Sequence, residues 1–217
     1  MIVLLLACAP DPADPAGGLS GEEAAAPLVD IAITGTTGAE IAPGTRHTGR
    51  DRKRMDVDQL SAAIAQATGG IHWTEGDALT GDPMFEALSA TLGKPDYALS
   101  TQEDRSPSVI FAKFLGDAAA SVCTKLIEHE RTLEPGTGTF LALAGPSDTH
   151  ESDPTAIAAN IQLQLLRFHG RELSSDDPEL EEWVWLWRTV HSRTGDTSAA
   201  WRATCAGLIM HPEFYTY

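Results

Sequence analysis

From Met55 onward, apolar residues recur at spacings of three and four, the signature of amphipathic helices with one face turned to a core. Asp56 fits a helix N-cap, Gln59 three residues later completes a capping box, and Met55 can staple onto Leu60 across the first turn. Gly69-Gly70 supplies the stop. Four later starts repeat one device, a capping residue followed by proline: Asp82-Pro83, Ser106-Pro107, Asp153-Pro154 and Asp177-Pro178. Stop signals come at Gly93, Gly170 and Gly195. The longest predicted helix begins at Pro107 and carries the stripe Phe111, Phe114, Leu115, Ala118, Ala119, Val122 and Leu126. The next carries Ile157, Ile161, Leu165 and Phe168, with Leu166 alongside. A last helix, from about Thr197 to Met210, stops before His211-Pro212, because a residue preceding proline disfavours helical geometry. Residues 134–152 read as a loop with an apolar island, Phe140 to Ala144. The pattern predicts an all-α single domain of about six mostly antiparallel helices over residues 28–217. Its start, 28–54, is irregular: Leu28 to Thr34 could form a short edge strand, and Gly35, Gly38, Gly44 and Gly49 break up the chain after it.

The N-terminal residues change the picture from a fold to an address. Met1 to Ala7 is a short apolar run ending in Leu5-Leu6-Ala7-Cys8, which resembles a bacterial lipobox with Cys8 as the lipidated residue. The run lacks a basic n-region and is shorter than the usual apolar core, so residues 1–8 read as a truncated lipoprotein signal, a misplaced start codon with the true Met further upstream being one explanation. Residues 9–27 hold four prolines, three glycines, four acidic residues and no aromatic, a composition expected to form a disordered tether. The membrane contact expected is therefore a lipid anchor rather than a spanning helix. A chance apolar start on a cytosolic protein is the alternative.

Charge then excludes a class of partner. The chain has 15 basic and 31 acidic residues, a net charge of -16, so duplex nucleic acid is excluded as a partner. Arg46, Arg50, Arg52, Lys53 and Arg54 form a local basic patch that could meet an acidic partner or lipid headgroups. The plainer reading is a solvated approach to the first helix, pairing with the acidic run Asp176, Asp177, Glu179, Glu181 and Glu182. That run sits where negative charge complements a helix dipole.

Candidate chemistry is sparse. The chain lacks Cys-x-x-Cys-His for haem attachment, zinc-protease histidine spacing, a Gly-x-Ser-x-Gly elbow, a P-loop and a dinucleotide fingerprint. No catalytic, cofactor-binding or metal-ligating residue is assigned from the sequence, and no cofactor is expected. The seven histidines never come closer than nineteen residues, so the reading for them is solvated loop and helix-end positions. A composite metal site of His150, Glu151 and Asp153 with a distant histidine is the alternative. If lipid consumes Cys8, Cys123 and Cys205 remain as an even pair, and a disulfide between them is expected in an oxidising compartment. In a reducing cytosol they would instead be two small buried hydrophobes. Trp183 and Trp187 share a helical face with Leu180, Leu186 and Val190, while Trp185 points nearly opposite. Trp185 is then either buried by a second layer, the first expectation, or exposed as a partner contact.

Two stretches carry a resemblance: Arg54-Met55-Asp56-Val57-Asp58-Gln59-Leu60, and Trp201-Arg202 through Cys205 to His211-Pro212-Glu213-Phe214-Tyr215. They are similar to the helical domains of uncharacterised, cytochrome-associated cell-envelope proteins of planctomycete and myxobacterial type. Those have an Arg-Leu-(Ser/Asp)-x-(Asp/Glu)-Gln-Leu opening and a Trp…His-Pro-(Glu/Asp)-Phe ending. The resemblance covers about a quarter of the chain and implies a helical envelope lipoprotein. Relatives of this type often carry a haem module that this chain lacks, and the resemblance supplies no catalytic residue. The functional expectation is a membrane-anchored, non-enzymatic binding or assembly module on the periplasmic or outer-membrane side, with a cytochrome or a secreted hydrolase as possible envelope partner. The alternative is an accessory subunit of an envelope redox or hydrolytic system with a small site of its own.

Overall fold

Side-chain caps set where the helices begin. In the computed structural model the described residues are 53–76, 81–95, 98, 105, 108–134 and 136–217, all within one compact unit that spans Thr48–Tyr217. The lipobox with Cys8, the tether 9–27, the possible strand at 28–34, Arg46, Arg50 and Arg52 lie outside them. Helix α1, Val57–Ala67, opens on the expected capping box: Asp56 accepts the Gln59 N–H at 2.7 Å, and the Gln59 side chain accepts the Asp56 N–H at 3.1 Å. Met55 packs on the core that contains Leu60.

The start predicted at Asp82-Pro83 is corrected. Asp82–Pro83 is extended and forms a two-residue strand, β2, antiparallel to β1, Thr74–Glu75. Helix α2, Met84–Ala87, is a single turn with no side-chain cap, because its N-cap is Pro83, whose ring carries no acceptor; the Met84 N–H donates to the Trp73 carbonyl at 3.0 Å. A second start shifts as well. Ser106 and Pro107 lie outside the described residues, and α3, Val109–Glu130, is capped by Ser108, which accepts the Phe111 N–H at 3.0 Å.

Helices α4 (Pro154–His169) and α5 (Pro178–Thr194) begin as predicted, on Asp153 and Asp177 caps with proline in the first turn, and each ends on a left-handed glycine, Gly170 and Gly195. Helix α6, Thr197–Met210, stops at His211, and a further turn, α7, Pro212–Tyr215, comes directly after it. The fold is all-α, with seven helices among the described residues, two of them single turns. None of these helices is long and apolar enough to cross a membrane.

The core is centred on α3, α6 and α5, with α6 between the other two. Ala118, Ala119, Val122 and Cys123 from α3 meet Ala200, Trp201, Cys205 and Leu208 from α6, all fully buried. Cys123 and Cys205 stand at disulfide distance across this seam, with Cα atoms 5.8 Å apart. Helix α4 buries Ile157, Ile161, Leu165 and Phe168, but Leu166 is exposed, contrary to its predicted place on the stripe. Asn160 and Gln164 occupy the buried flank beside that stripe instead.

Those two polar residues, with Glu130, explain how the apolar island is held. Phe140, Leu141 and Ala144 are buried without belonging to any helix. The Glu130 carboxylate accepts the N–H groups of Phe140 at 2.6 Å and Leu141 at 2.5 Å. The Asn160 amide donates to the Phe140 carbonyl at 2.9 Å and accepts the Leu143 N–H at 2.9 Å, and Gln164 donates to the same Phe140 carbonyl at 2.9 Å. Arg167 donates to the Thr139 carbonyl. Buried backbone groups need partners, and here side chains replace a helix as their source. Gly138 makes this possible, since a Cβ there would lie 2.6 Å from a Glu130 carboxylate oxygen.

The two stretches that carried the resemblance meet in space. Arg54 bridges to Thr216, and the Met55 N–H donates to the Tyr215 carbonyl at 2.8 Å. Arg54 is buried, its guanidinium 4.2 Å from the centre of the Phe111 ring, which corrects its reading as part of a solvated basic approach. In the acidic run, Glu179 pairs with Arg171 at 2.8 Å.

Candidate functional site

Two helix ends and a one-turn helix bring chemistry together where the sequence kept it apart. Gly170, with φ of 66°, ends α4 and leaves His169 in its last turn. Pro212 ends α6 at His211, whose extended backbone lets Nδ1 accept the Glu213 N–H at 3.3 Å and so cap α7. Phe168 packs on Phe214 with ring centres 5.6 Å apart, which sets the two helix ends side by side. As a result the imidazoles of His169 and His211 lie 4.8 Å apart, and the indole of Trp183 sits 5.8 Å and 6.1 Å from them.

His169 has a defined tautomer. Its Nε2 is 3.0 Å from the Leu208 carbonyl, and because a carbonyl only accepts, Nε2 carries the proton and Nδ1 the lone pair. That Nδ1 is buried and has no hydrogen-bond partner. Burial pushes the imidazole below the ordinary histidine range, and His211 adds to this, while the Leu208 carbonyl, Glu213 and Glu179 pull the other way. Arg171 spans the rim, 3.2 Å from Glu213 and 2.8 Å from Glu179. An open cavity of about 520 Å³ lies against Arg171, Glu179, Glu182, Trp183, His211 and Glu213.

The other feature is a groove of about 340 Å³ along the outer face of α5, lined by His150, Glu151, Trp185, Arg188, His191 and Arg193 among others. Trp185 is 64% exposed, so the expectation of burial under a second layer is overturned. The physical reason is one-sided packing. Helix α5 meets α6 and α4 through Leu180, Trp183, Trp187 and Val190, and on the opposite face the loop residues His150 and Glu151 border the groove without burying Trp185. Trp187 is fully buried, stacked at 5.1 Å on His191.

The composite metal site kept as the alternative is not assembled among the described residues. Among the described residues, the convergent group of histidine, cysteine and carboxylate side chains is His169, His211 and Glu213, and neither His150, Glu151 nor Asp153 belongs to it. Sequence reasoning missed this group because its two histidines are 42 residues apart and each looked like a solvated helix end. The signal available was position: one precedes a helix-stopping glycine, the other a helix-starting proline. No family model, curated protein or solved structure matches the chain.

Proposed function

We propose that this chain is a lipid-anchored module of the bacterial cell envelope, held on the periplasmic or outer-membrane side through Cys8, that works by binding a protein partner rather than by catalysis. The observation that carries the reading is Trp185, 64% exposed while the other four tryptophans are buried or half-buried. An exposed indole on a regular helix is a preorganised anchor of the kind that dominates interfaces. Arg188 and Arg193 beside it make this groove of an acidic chain locally basic, which suits a partner presenting carboxylates around an apolar pocket. The Cys123–Cys205 pair supports an oxidising compartment. A cytochrome or a secreted hydrolase of the envelope is the partner class that this reading implies.

The test is a photo-crosslinking residue placed at position 185 in living cells, with position 113 on α3 as the control. A discrete adduct from 185 alone, lost when Arg188 and Arg193 become Glu, is the expected result. No adduct, or the same adduct from both positions, refutes the reading. Anchoring is tested separately: Cys8→Ser releases the protein from the membrane fraction if the lipid holds it there. The alternative, an accessory subunit of a redox or hydrolytic system, is favoured by the convergence of His169, His211 and Glu213.

A further inference from the structure

We propose that His169, His211 and Glu213 form a binding site for one divalent transition-metal ion of the zinc class. One ligand atom from each residue lies within 4.8 Å of the others. Zinc bonds to nitrogen and carboxylate oxygen of about 2.1 Å place tetrahedral ligands about 3.4 Å apart, so the group needs closing by about 1.4 Å. Side-chain torsions supply that much, the Glu213 carboxylate most readily because it lies at the edge of an open cavity.

The independent observation is His169. Its Nε2–H donates to the Leu208 carbonyl, and its buried Nδ1 lone pair has no partner. Metal-bound histidines carry this arrangement as a rule, one ring nitrogen anchored to a carbonyl or carboxylate and the other facing the ion. A buried acceptor left without a donor is satisfied by a cation as well as by a hydrogen bond.

The surroundings fit a cation. Glu179, Glu182 and Glu213 outnumber Arg171 along the cavity. Arg171 does not exhaust Glu213: its contacts to the two carboxylate oxygens are 3.2 Å and 3.4 Å, and a carboxylate accepts in about four directions. The competing interaction is the cap on α7. Either ring nitrogen of His211 reaches an ion only by giving up that contact, Nδ1 directly or Nε2 after the proton moves to Nδ1. At 3.3 Å the cap is long and is readily exchanged for a metal bond. Two imidazoles and a carboxylate favour zinc, cobalt, nickel or copper over magnesium or calcium, which take oxygen ligands. With three protein ligands, the fourth position faces the open cavity.

The experiment titrates zinc chloride into the untagged, metal-stripped full chain by calorimetry, with cobalt chloride followed by visible absorption. Every protein carries Cys8→Ser so that no free thiol competes. Expected are a stoichiometry of one and the intense visible bands of tetrahedral cobalt. His169→Ala, Glu213→Gln and His211→Asn should each weaken binding about tenfold or more. Asn keeps an N-cap acceptor for α7, and Glu213→Gln changes only a half-buried carboxylate, so these two carry the test if His169→Ala fails to fold. Melting in EDTA checks the folding of each variant. The double change His150→Ala with His191→Ala, in the other groove, should leave binding intact. Absence of saturable binding, or unaltered binding in both Glu213→Gln and His211→Asn, overturns the proposal.

Discussion

The seam between α3 and α6 and the segment from Gly136 to Gly145 both bury apolar side chains, yet different physics holds them. At the seam, small apolar side chains let two helices approach, and Cys123 with Cys205 ties them. Each helix satisfies its own backbone, so the seam needs only shape and apolar area. The segment buries Phe140 and Leu141 with no helix to satisfy their backbone: Glu130 accepts their N–H groups, and Asn160 and Gln164 donate to the Phe140 carbonyl. The difference teaches that a buried loop depends on a few polar atoms, where a buried helix depends on many apolar ones.

The largest effect should come from the seam. Replacing Cys123 and Cys205 together by Ala removes a cross-link over 82 residues, for which loop-closure entropy gives about 4.5 kcal/mol, read as a fall in the urea midpoint. A loss under about 1 kcal/mol would mean that packing alone holds the seam. Next comes the segment: Glu130→Ala leaves two buried N–H groups unpaired and should cost about 3 kcal/mol. Gly138→Ala, which drives a Cβ into the same carboxylate, should cost about 2 kcal/mol. If Glu130→Ala costs less than Gly138→Ala, the carboxylate is not what holds the segment.

A pH effect on stability should arise from His169, measured in EDTA. Its folded imidazole is harder to protonate than an unfolded one, so the unfolded chain takes up the extra proton as pH falls through about 6.5. Stability is therefore full above that pH and declines below it, toward the depressed folded value. His169→Gln should flatten this slope between about pH 7.5 and 5.5 relative to the parent chain. An unchanged slope places the titration elsewhere. The smallest effect belongs to Trp185→Ala, within about 0.5 kcal/mol, because the indole covers nothing in the core. A clearly larger loss would show that the face does more for the fold than its exposure implies.

The seam was legible in the sequence and the segment was not. Periodicity named Phe111, Leu115, Ala118, Val122 and Leu126 as one face, and Asp56, Asp153 and Asp177 announced their helices. Glu130 comes after Glu128 and His129 at a helix end and reads as solvated charge. Its partners are backbone N–H groups, which leave no mark in residue types. Trp185 shows the same limit from the other side. Helical geometry gave its direction, but whether a second layer covers that direction depends on elements far away in the chain. Counting cysteines was enough to name the pair at the seam, whereas the meeting of His169 and His211 depends on how two helices end.

The disulfide also sets how the molecule carries load. A pull transmitted along the backbone would enter α3, cross the sulfur bridge and leave through α6, bypassing the chain between them, a sequence separation of 82. At about 3.4 Å per extended residue, that hides about 280 Å of contour length from the force. Both the Phe140 segment and Trp185 lie inside this closed ring. A protein tugging on Trp185 would strain α5 locally, whereas tension arriving from the N-terminal side would leave α5 slack and its exposed indole in place.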